Sequence, residues 1–286
     1  MPLRRRGANR PVLQIADEQG GQPERRIERI LNSTVPGRRR VTLVVRQELN
    51  WTRMKSSSIL DFVRHILDGK VVDVRQQLCS EPELATMALD VGATRTQASD
   101  YFFSEINHYM YGGDTALHMA AAAFSLPMVK LLVKHGSDCR ARNRRGAEPL
   151  HYASDGNGSD LQSQAKVIAY LASIGADPNA NDKSGVASLH RAVRTRSPAA
   201  VRALLDAGAD PTQRNKSGST PLHLAVQTTG ASGSGSIEAQ RRQKLIIELL
   251  LKWGAKLTDQ DLNGKTVEQC AKSLWVRELL AESKTG

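Results

Sequence analysis

The sequence predicts an all-α solenoid of helix–turn–helix units joined by β-hairpin-like loops, preceded by a disordered basic arm. Two observations predict the solenoid. A short segment centred on Leu-His recurs four times, and helix-ending glycines stand at one constant distance before the next unit's motif. Such regular recurrence of one motif is the signature of stacked repeats. A third observation, the arginine-rich and polar composition of residues 1–50, predicts the arm.

The recurring segments read "GDTALHMAA", "GAEPLHYAS", "GVASLHRAV" and "GSTPLHLAV", and their histidines are His118, His151, His190 and His223. An apolar stretch that ends in glycine closes each unit, at Gly136, Gly175, Gly208 and Gly254. The interval from each glycine to the next Leu-His histidine is the same every time, and the interval from Gly254 to Gln269 equals it. Apolar residues seven and four positions before each glycine share a helix face, which indicates an amphipathic second helix in each unit.

These motifs resemble the ankyrin repeat, a 33-residue unit that carries T-P-L-H-x-A. The match is complete at "TPLHLA" from Thr220, whereas "TALHMA" from Thr115 departs at one position. The copy "EPLHYA" lacks the threonine, and "ASLHRA" lacks both the threonine and the proline. The resemblance covers roughly residues 112–283. It implies stacked units, each a β-turn followed by two antiparallel helices.

The local sequence agrees with this fold. Thr220 suits an N-cap and Pro221 the first helical position, so a short first helix is predicted over about Pro221–Gln227. The second helix of each unit should end at its glycine, which can adopt a positive φ. The interval from a histidine to the glycine of its own unit is longer in the second and fourth units than in the first and third. Insertions near 154–164 and 228–243 are therefore expected to lengthen the connection between a unit's own two helices.

The remaining segments are assigned by their position relative to the repeats. Residues 51–111 should contain N-terminal capping helices and an irregular first hairpin, residues 112–263 the repeats, and residues 264–286 a C-terminal capping repeat. The irregular part groups Tyr101, Phe102 and Phe103 with Tyr109 and Tyr111, either as core packing or as a patch that faces a partner. Within the basic arm, "RVTLVVRQEL" (40–49) could form a strand or a short ordered segment.

The sequence predicts no catalytic residue, no metal site and no cofactor. Histidines on successive repeats should lie roughly 10 Å apart by analogy with packed helices. They therefore cannot share an ion whose ligand bonds are about 2 Å long. We expect His118, His151, His190 and His223 to hold the start of each first helix to the adjoining turn, with the hydroxyls of Thr115 and Thr220 as partners. The glycine-rich "TTGASGSGS" lacks the G-K-[ST] ending of a phosphate-binding loop.

The resemblance implies that the hairpin tips and the concave face bind another protein. By register, the tips are "CRARNRRG", "NANDKSG", "TQRNKSG" and "TDQDLNG". Their candidate partner-binding residues are Arg140, Arg142, Arg144, Arg145, Lys183, Arg214 and Lys216, while Asp259 and Asp261 reverse the sign at the last tip. These charges either recognise an acidic segment of a partner or are simply solvated loop charges.

We therefore expect a monomeric, non-enzymatic protein–protein interaction scaffold. One alternative is a regulatory protein that associates with nucleic acid through the 1–50 arm, and another is a targeting subunit of an enzyme complex. Three scattered cysteines, Cys79, Cys139 and Cys270, and the lack of an apolar run long enough to span a membrane favour a cytosolic protein. The arginine clusters of the arm leave a nuclear location open.

Overall fold

The computed structural model describes residues 58–155, 160–227 and 236–283, which are predominantly helical with one short strand pair. The predicted all-α fold is confirmed. The 1–50 arm and its "RVTLVVRQEL" segment lie outside the described residues, as do parts of both insertions.

Two helices and a 3-10 turn precede the repeats. Helix α1 covers residues 58–67 and helix α2 spans Val71–Ser80, with a turn between them at Gly69, whose φ is 71°. A 3-10 helix, Pro82–Ala85, follows directly. Their buried apolar residues join the continuous core that runs through all the repeats.

The irregular hairpin lies between these helices and the first repeat. After a 3-10 turn at Ser99–Tyr101, strand β1 (Phe102–Phe103) pairs antiparallel with strand β2 (His108–Tyr109). Phe103 is buried in the core, whereas Phe102 and Tyr109 are each 38% exposed and their ring centroids lie 4.8 Å apart. Core packing therefore describes Phe103, and for the exposed Phe102 and Tyr109 the partner-facing patch stays a prediction.

Four helix pairs form the repeats, and their first helices contact one another, as do their second helices. The pairs are α3 (Ala116–Ala122) with α4 (Leu126–Lys134), α5 (Pro149–Ser154) with α6 (Leu161–Ser173), α7 (Ser188–Arg194) with α8 (Pro198–Asp206), and α9 (Pro221–Ala225) with α10 (Ile237–Lys252). Helix α9 ends at Ala225, slightly before its predicted end at Gln227. The glycine after each second helix has a positive φ, between 90° and 101°, as predicted.

The two insertions lengthen a helix as well as a connection. Measured from the glycine that follows each second helix, α6 begins about one turn earlier than α4 and α8, and α10 begins about two turns earlier. Buried Gln164 and Gln243 stand in the added turns and donate from Nε2 to the carbonyls of Ala153 (2.9 Å) and Ala225 (2.7 Å). Because these glutamines satisfy carbonyls at the end of the first helix, the second helix can continue alongside it.

The last unit consists of α11 (Val267–Cys270) and α12 (Leu274–Glu282). Gln269 occupies the position of the repeat histidines, and its Oε1 accepts the backbone N–H of Thr266 at 2.9 Å. Val267, Val276 and Leu280 are buried, while Leu274 is 72% exposed.

Candidate partner-binding surface

Each hairpin tip is shaped by one Asn or Asp three positions before a glycine. The Oδ1 atom of that residue accepts two backbone N–H groups across the turn, at 2.7–3.1 Å, in Asn143, Asp182, Asn215 and Asp261. Such bonds fix the turn locally. The constant offset from glycine was present in the sequence, but its role was not predicted.

Neighbouring tips are joined by backbone hydrogen bonds. The N–H of Arg144 donates to Gly112 at 2.7 Å, Lys183 to Arg145 at 2.8 Å, Lys216 to Ser184 at 3.1 Å, and Leu262 to Ser217 at 3.1 Å. Side chains at equivalent positions of consecutive tips are therefore held side by side.

The seven predicted partner-binding residues fall into two groups. Four donate side-chain hydrogen bonds within the protein: Arg140 to the Gly175 carbonyl, Arg142 to the Glu148 carboxylate, Arg144 to the Ala93 carbonyl, and Arg214 to the Gln260 carbonyl. The other three, Arg145, Lys183 and Lys216, make no side-chain hydrogen bond or ion pair with any described residue. These three exposed residues lie on three consecutive tips and are named the cation row here; Arg145 stands one position later in its tip than Lys183 and Lys216 do in theirs.

The irregular hairpin supplies an aromatic residue to the first tip. The guanidinium carbon of Arg145 lies 4.0 Å from the centroid of the Tyr111 ring, and that of Arg144 lies 5.5 Å from it. Stacking of this kind restricts the guanidinium and leaves its N–H groups available. Sequence reasoning grouped Tyr111 with the other aromatic residues but did not connect it with the arginines.

A pocket of about 220 Å³ opens beside this stack. Its lining includes His108, Tyr109 and Tyr111 from the irregular hairpin, and Arg145, Asp155 and Arg191 from the first repeats. Two oppositely charged members are already paired, because Arg191 Nη1 donates to Asp155 Oδ2 at 2.9 Å.

A buried polar network supports the pocket from below. The fully buried Asp114 carboxylate accepts from the Tyr152 hydroxyl at 2.6 Å and from Asn143 Nδ2 at 2.8 Å. The His108 ring stacks on Tyr152, with 4.6 Å between the centroids. Burial, reinforced by Asp114, raises the pKa of Tyr152 well above its usual range, so the phenol stays protonated and donates.

The four repeat histidines each connect two units. Nδ1 accepts the backbone N–H of the residue three positions earlier, at 3.1–3.3 Å, and Nε2 faces a backbone carbonyl of the next unit, at 3.1–3.3 Å, for His118, His151, His190 and His223. Because a carbonyl only accepts, the proton is on Nε2. The Thr115 and Thr220 hydroxyls lie 3.0 and 2.8 Å from Nδ1. The contact to the next unit was not foreseen from the sequence.

Burial favours the neutral imidazole in three of these histidines. It lowers the pKa of His118 and His190, and it lowers the pKa of His151 to about 4 with a further contribution from nearby Arg191. Over residues 58–155, 160–227 and 236–283, no three His, Cys, Asp or Glu side chains are grouped as metal ligands would be. Within the same ranges, no helix has the length and apolar character needed to cross a bilayer.

Comparison with known proteins identifies the repeat. A family model for ankyrin repeats (3 copies) matches residues 92–182, and one for ankyrin repeats (many copies) matches residues 171–225. The first match includes the irregular hairpin that the sequence pattern alone did not place in register.

Similar curated proteins match parts of the chain. Human B-cell lymphoma 3 protein is 35% identical over 99 residues, which is 33% of this chain and 20% of that protein. Human protein phosphatase 1 regulatory subunit 27 is 42% identical over 74 residues, or 26% of this chain and 44% of that protein. Notch-regulated ankyrin repeat-containing protein A of Danio rerio is 43% identical over 56 residues, covering 20% of this chain and 50% of that protein. The matches thus span at most half the length of these relatives.

The Leu-His motifs, the helix pairs joined by regular hairpin tips, and both family models agree on one assignment. Residues 92–225 of the chain are ankyrin repeats.

Proposed function

We propose that this protein is a non-catalytic scaffold or adaptor that binds an acidic segment of another protein along its hairpin tips. Ankyrin repeats are protein–protein interaction modules, and the proposal adds the chemistry of the partner. The observation that carries it is the cation row: Arg145, Lys183 and Lys216 lie on consecutive tips and make no ion pair with a described residue.

The charges of the tips also suggest an orientation for the bound segment. The last tip, residues 258–264, carries Asp259 and Asp261 and no Lys or Arg, so this end of the surface is the more acidic one even though Asp259 lies 3.5 Å from Arg214. An exposed ion pair contributes only about 0–1 kcal/mol, but several cations in a row steer an acidic segment and disfavour a basic one. The acidic end of the partner segment should therefore lie at the Arg145 end of the row.

The test is a triple charge reversal, R145E/K183E/K216E, compared with R75E/K256E/K272E, which reverses three exposed cations outside the row. Quantitative affinity purification with the full-length protein should lose acidic-segment partners only with the first variant. Equal melting temperatures of the two variants would show that folding is not the cause. Capture of the same partners by both variants would refute the proposed surface.

Arg142 is left unchanged in this test for a structural reason. Its Nε donates to Glu148 Oε1 at 2.9 Å, and Glu148 is only 4% exposed with Oε2 lacking a partner among the described residues. Burial raises the pKa of Glu148 even though the Arg142 contact opposes this shift. Neutralising Arg142 would leave a buried carboxylate uncompensated and would mix stability with binding.

A second candidate is a targeting subunit of an enzyme complex. It is favoured by the 42% identity with human protein phosphatase 1 regulatory subunit 27 over 74 residues. In this case the same purification should recover a catalytic subunit in fixed proportion.

The nucleic-acid alternative depends on the arm and predicts binding that falls steeply with salt and disappears in a 51–286 fragment. We propose the cytosol as the compartment, with the nucleus as the alternative.

A further inference from the structure

We propose that the pocket between the irregular hairpin and the first repeats binds one carboxylate of the partner segment, from an Asp or Glu side chain or from the free C-terminus of that segment. In the same proposal, the exposed Phe102–Tyr109 pair receives the apolar residue next to that carboxylate. The inference deepens the proposed function, on which it rests, by naming one anchoring group and its chemistry.

Arg145 is the first group that selects a carboxylate. Its guanidinium is stacked 4.0 Å from the Tyr111 ring centroid at the edge of the pocket, and its N–H groups have no acceptor among the described residues. Lys183 and Lys216 have no aromatic ring against them within the described part of the protein. An arginine held in one plane presents two parallel donors, which matches the two oxygens of a carboxylate.

Arg191 is the second group, and it is largely buried. Its side chain is 12% exposed, and it donates from Nη1 to Asp155 and from Nη2 to Asp182, both at 2.9 Å. Its Nε–H is buried and has no hydrogen-bond partner in the described structure. A buried donor without an acceptor is unfavourable, and Arg191 lines the pocket, so this guanidinium is the second candidate contact for a carboxylate there.

The charge balance of the pocket suits a single negative charge. Among the residues that line the pocket, two guanidinium groups, Arg145 and Arg191, stand against one carboxylate, Asp155, which leaves an excess of one positive charge along its walls. Arg194 lies 2.6 Å from Asp155, so the acidic groups are already shared among cations. A phosphate dianion would exceed this excess and would approach Asp155, whereas a carboxylate matches it.

The size and walls of the pocket agree with a side-chain anchor. A volume of about 220 Å³ is smaller than the roughly 300–1,000 Å³ of sites that bind whole drug-sized ligands. Tyr109 is both a wall of the pocket and one member of the exposed pair with Phe102, at 4.8 Å between centroids. An acidic residue in the pocket therefore places its neighbour in the peptide against two partly exposed aromatic rings.

The experiment is selection of a phage-displayed random dodecapeptide library on the full-length protein, on R145E and on R75E as the matched charge control. The unmodified protein and R75E should enrich peptides in which Asp or Glu stands next to a large apolar residue. Peptides in which a large apolar residue stands next to a free C-terminal carboxylate are the other expected class. R145E should lose this preference. Synthetic versions of the enriched peptides, measured by fluorescence anisotropy, should bind about tenfold or more weakly after Asp→Asn or Glu→Gln replacement. Peptides with free and amidated C-termini tell the two sources of the carboxylate apart.

Three further variants separate this inference from the proposed function. Y109A should weaken peptides with an apolar neighbour, and R145K should weaken acidic peptides although it keeps the charge. Acidic peptides that respond to K183E/K216E but not to R145E, R145K or Y109A would overturn the pocket and leave the cation row standing. No enrichment of acidic peptides on the unmodified protein would overturn both.

Discussion

Two first helices of the repeats begin with different residues, yet each is held to its N-cap and to the following unit by the same histidine hydrogen bonds. The third unit begins helix α7 with Ala187-Ser188-Leu189-His190, and the fourth begins helix α9 with Thr220-Pro221-Leu222-His223. The distance from the N-cap N–H to Nδ1 is 3.3 Å in the third unit and 3.2 Å in the fourth. The distance from Nε2 to the carbonyl of the following unit is 3.1 Å and 3.3 Å.

The differences are local. In the fourth unit the Thr220 hydroxyl lies 2.8 Å from Nδ1 of His223, whereas Ala187 offers no such group. The Ser188 hydroxyl is buried and has no partner in the described structure, at the position where the fourth unit has proline. The comparison indicates that the imidazole, which satisfies backbone groups of two units at once, carries the joint between repeats. The threonine and the proline then add smaller contributions to the stability of this joint.

The largest effect is expected when the histidine is removed. In H190A, the Ala187 N–H and the Ser219 carbonyl lose their partner, and a cavity replaces a side chain that is 1% exposed. We expect a loss of about 4 kcal/mol in the free energy of unfolding, from the cavity and two unpaired groups. Urea unfolding followed by circular dichroism measures it.

The matched variants are H223A and H135A. H223A should cost nearly as much as H190A, because the same two bonds are lost. H135A should change the free energy of unfolding by less than about 0.5 kcal/mol, since among the described residues that partly exposed histidine has a side-chain hydrogen bond only to Leu131 of its own helix. A nearly neutral H223A would mean that Thr220 and Pro221 hold the joint without the imidazole, and the comparison would fail.

The second largest effect is expected from pH, because protonation of the buried repeat histidines opposes folding. The pKa of His151 is about 4 in the folded protein and about 6.5 in an unfolded one. Between these values the unfolded state binds a proton that the folded state does not. The free energy of unfolding should therefore fall as the pH is lowered from 6.5 towards 4, by about 3 kcal/mol for His151 alone. The lowered pKa values of His118 and His190 act in the same direction.

H151Q is the variant that isolates this contribution. Gln269 already occupies the equivalent position in the last unit, where its Oε1 accepts the Thr266 N–H. Glutamine at position 151 should keep a similar bond to Glu148 while removing one titrating group. The slope of unfolding free energy against pH should be shallower than in the unmodified protein, measured by urea titration at several pH values. An unchanged slope would assign the acid sensitivity to other groups.

Much of the fold could be predicted from the sequence because the repeat is local. The constant interval from each glycine to the next motif fixes the tip between two units, and each helix pair depends on residues within that unit. The effect of the insertions on helix length was harder to predict from the sequence. The added turns of α6 and α10 contain Gln164 and Gln243, whose side chains bond carbonyls of the preceding helix. The two glutamines indicate a longer second helix only after their contact with the first helix has been seen.

The candidate site depends on contacts that sequence spacing does not encode. Arg140 donates to the Gly175 carbonyl, Arg144 to that of Ala93 and Arg214 to that of Gln260, so three of the predicted partner-binding cations are held by residues far along the sequence. Tyr111 reaches Arg145 only because the irregular hairpin folds back over the first tip. That hairpin carries no Leu-His motif, and residue types alone could not separate the three available cations from the four that are bonded.

The smallest expected effect comes from converting one helix start towards the other. A187T/S188P gives the third unit the residues of the fourth, and Ala187, at φ −88° and ψ 167°, already has the backbone conformation that precedes a proline. The double variant removes an unpartnered buried hydroxyl and adds a threonine beside Nδ1, so we expect a gain of about 1 kcal/mol in unfolding free energy. The opposite change at the threonine alone, T220A, should lose about 1 kcal/mol. If both variants shift the urea midpoint in the same direction, the two helix starts are not equivalent. If they shift it by opposite and similar amounts, the histidine bridge is the common element, and threonine and proline adjust its strength.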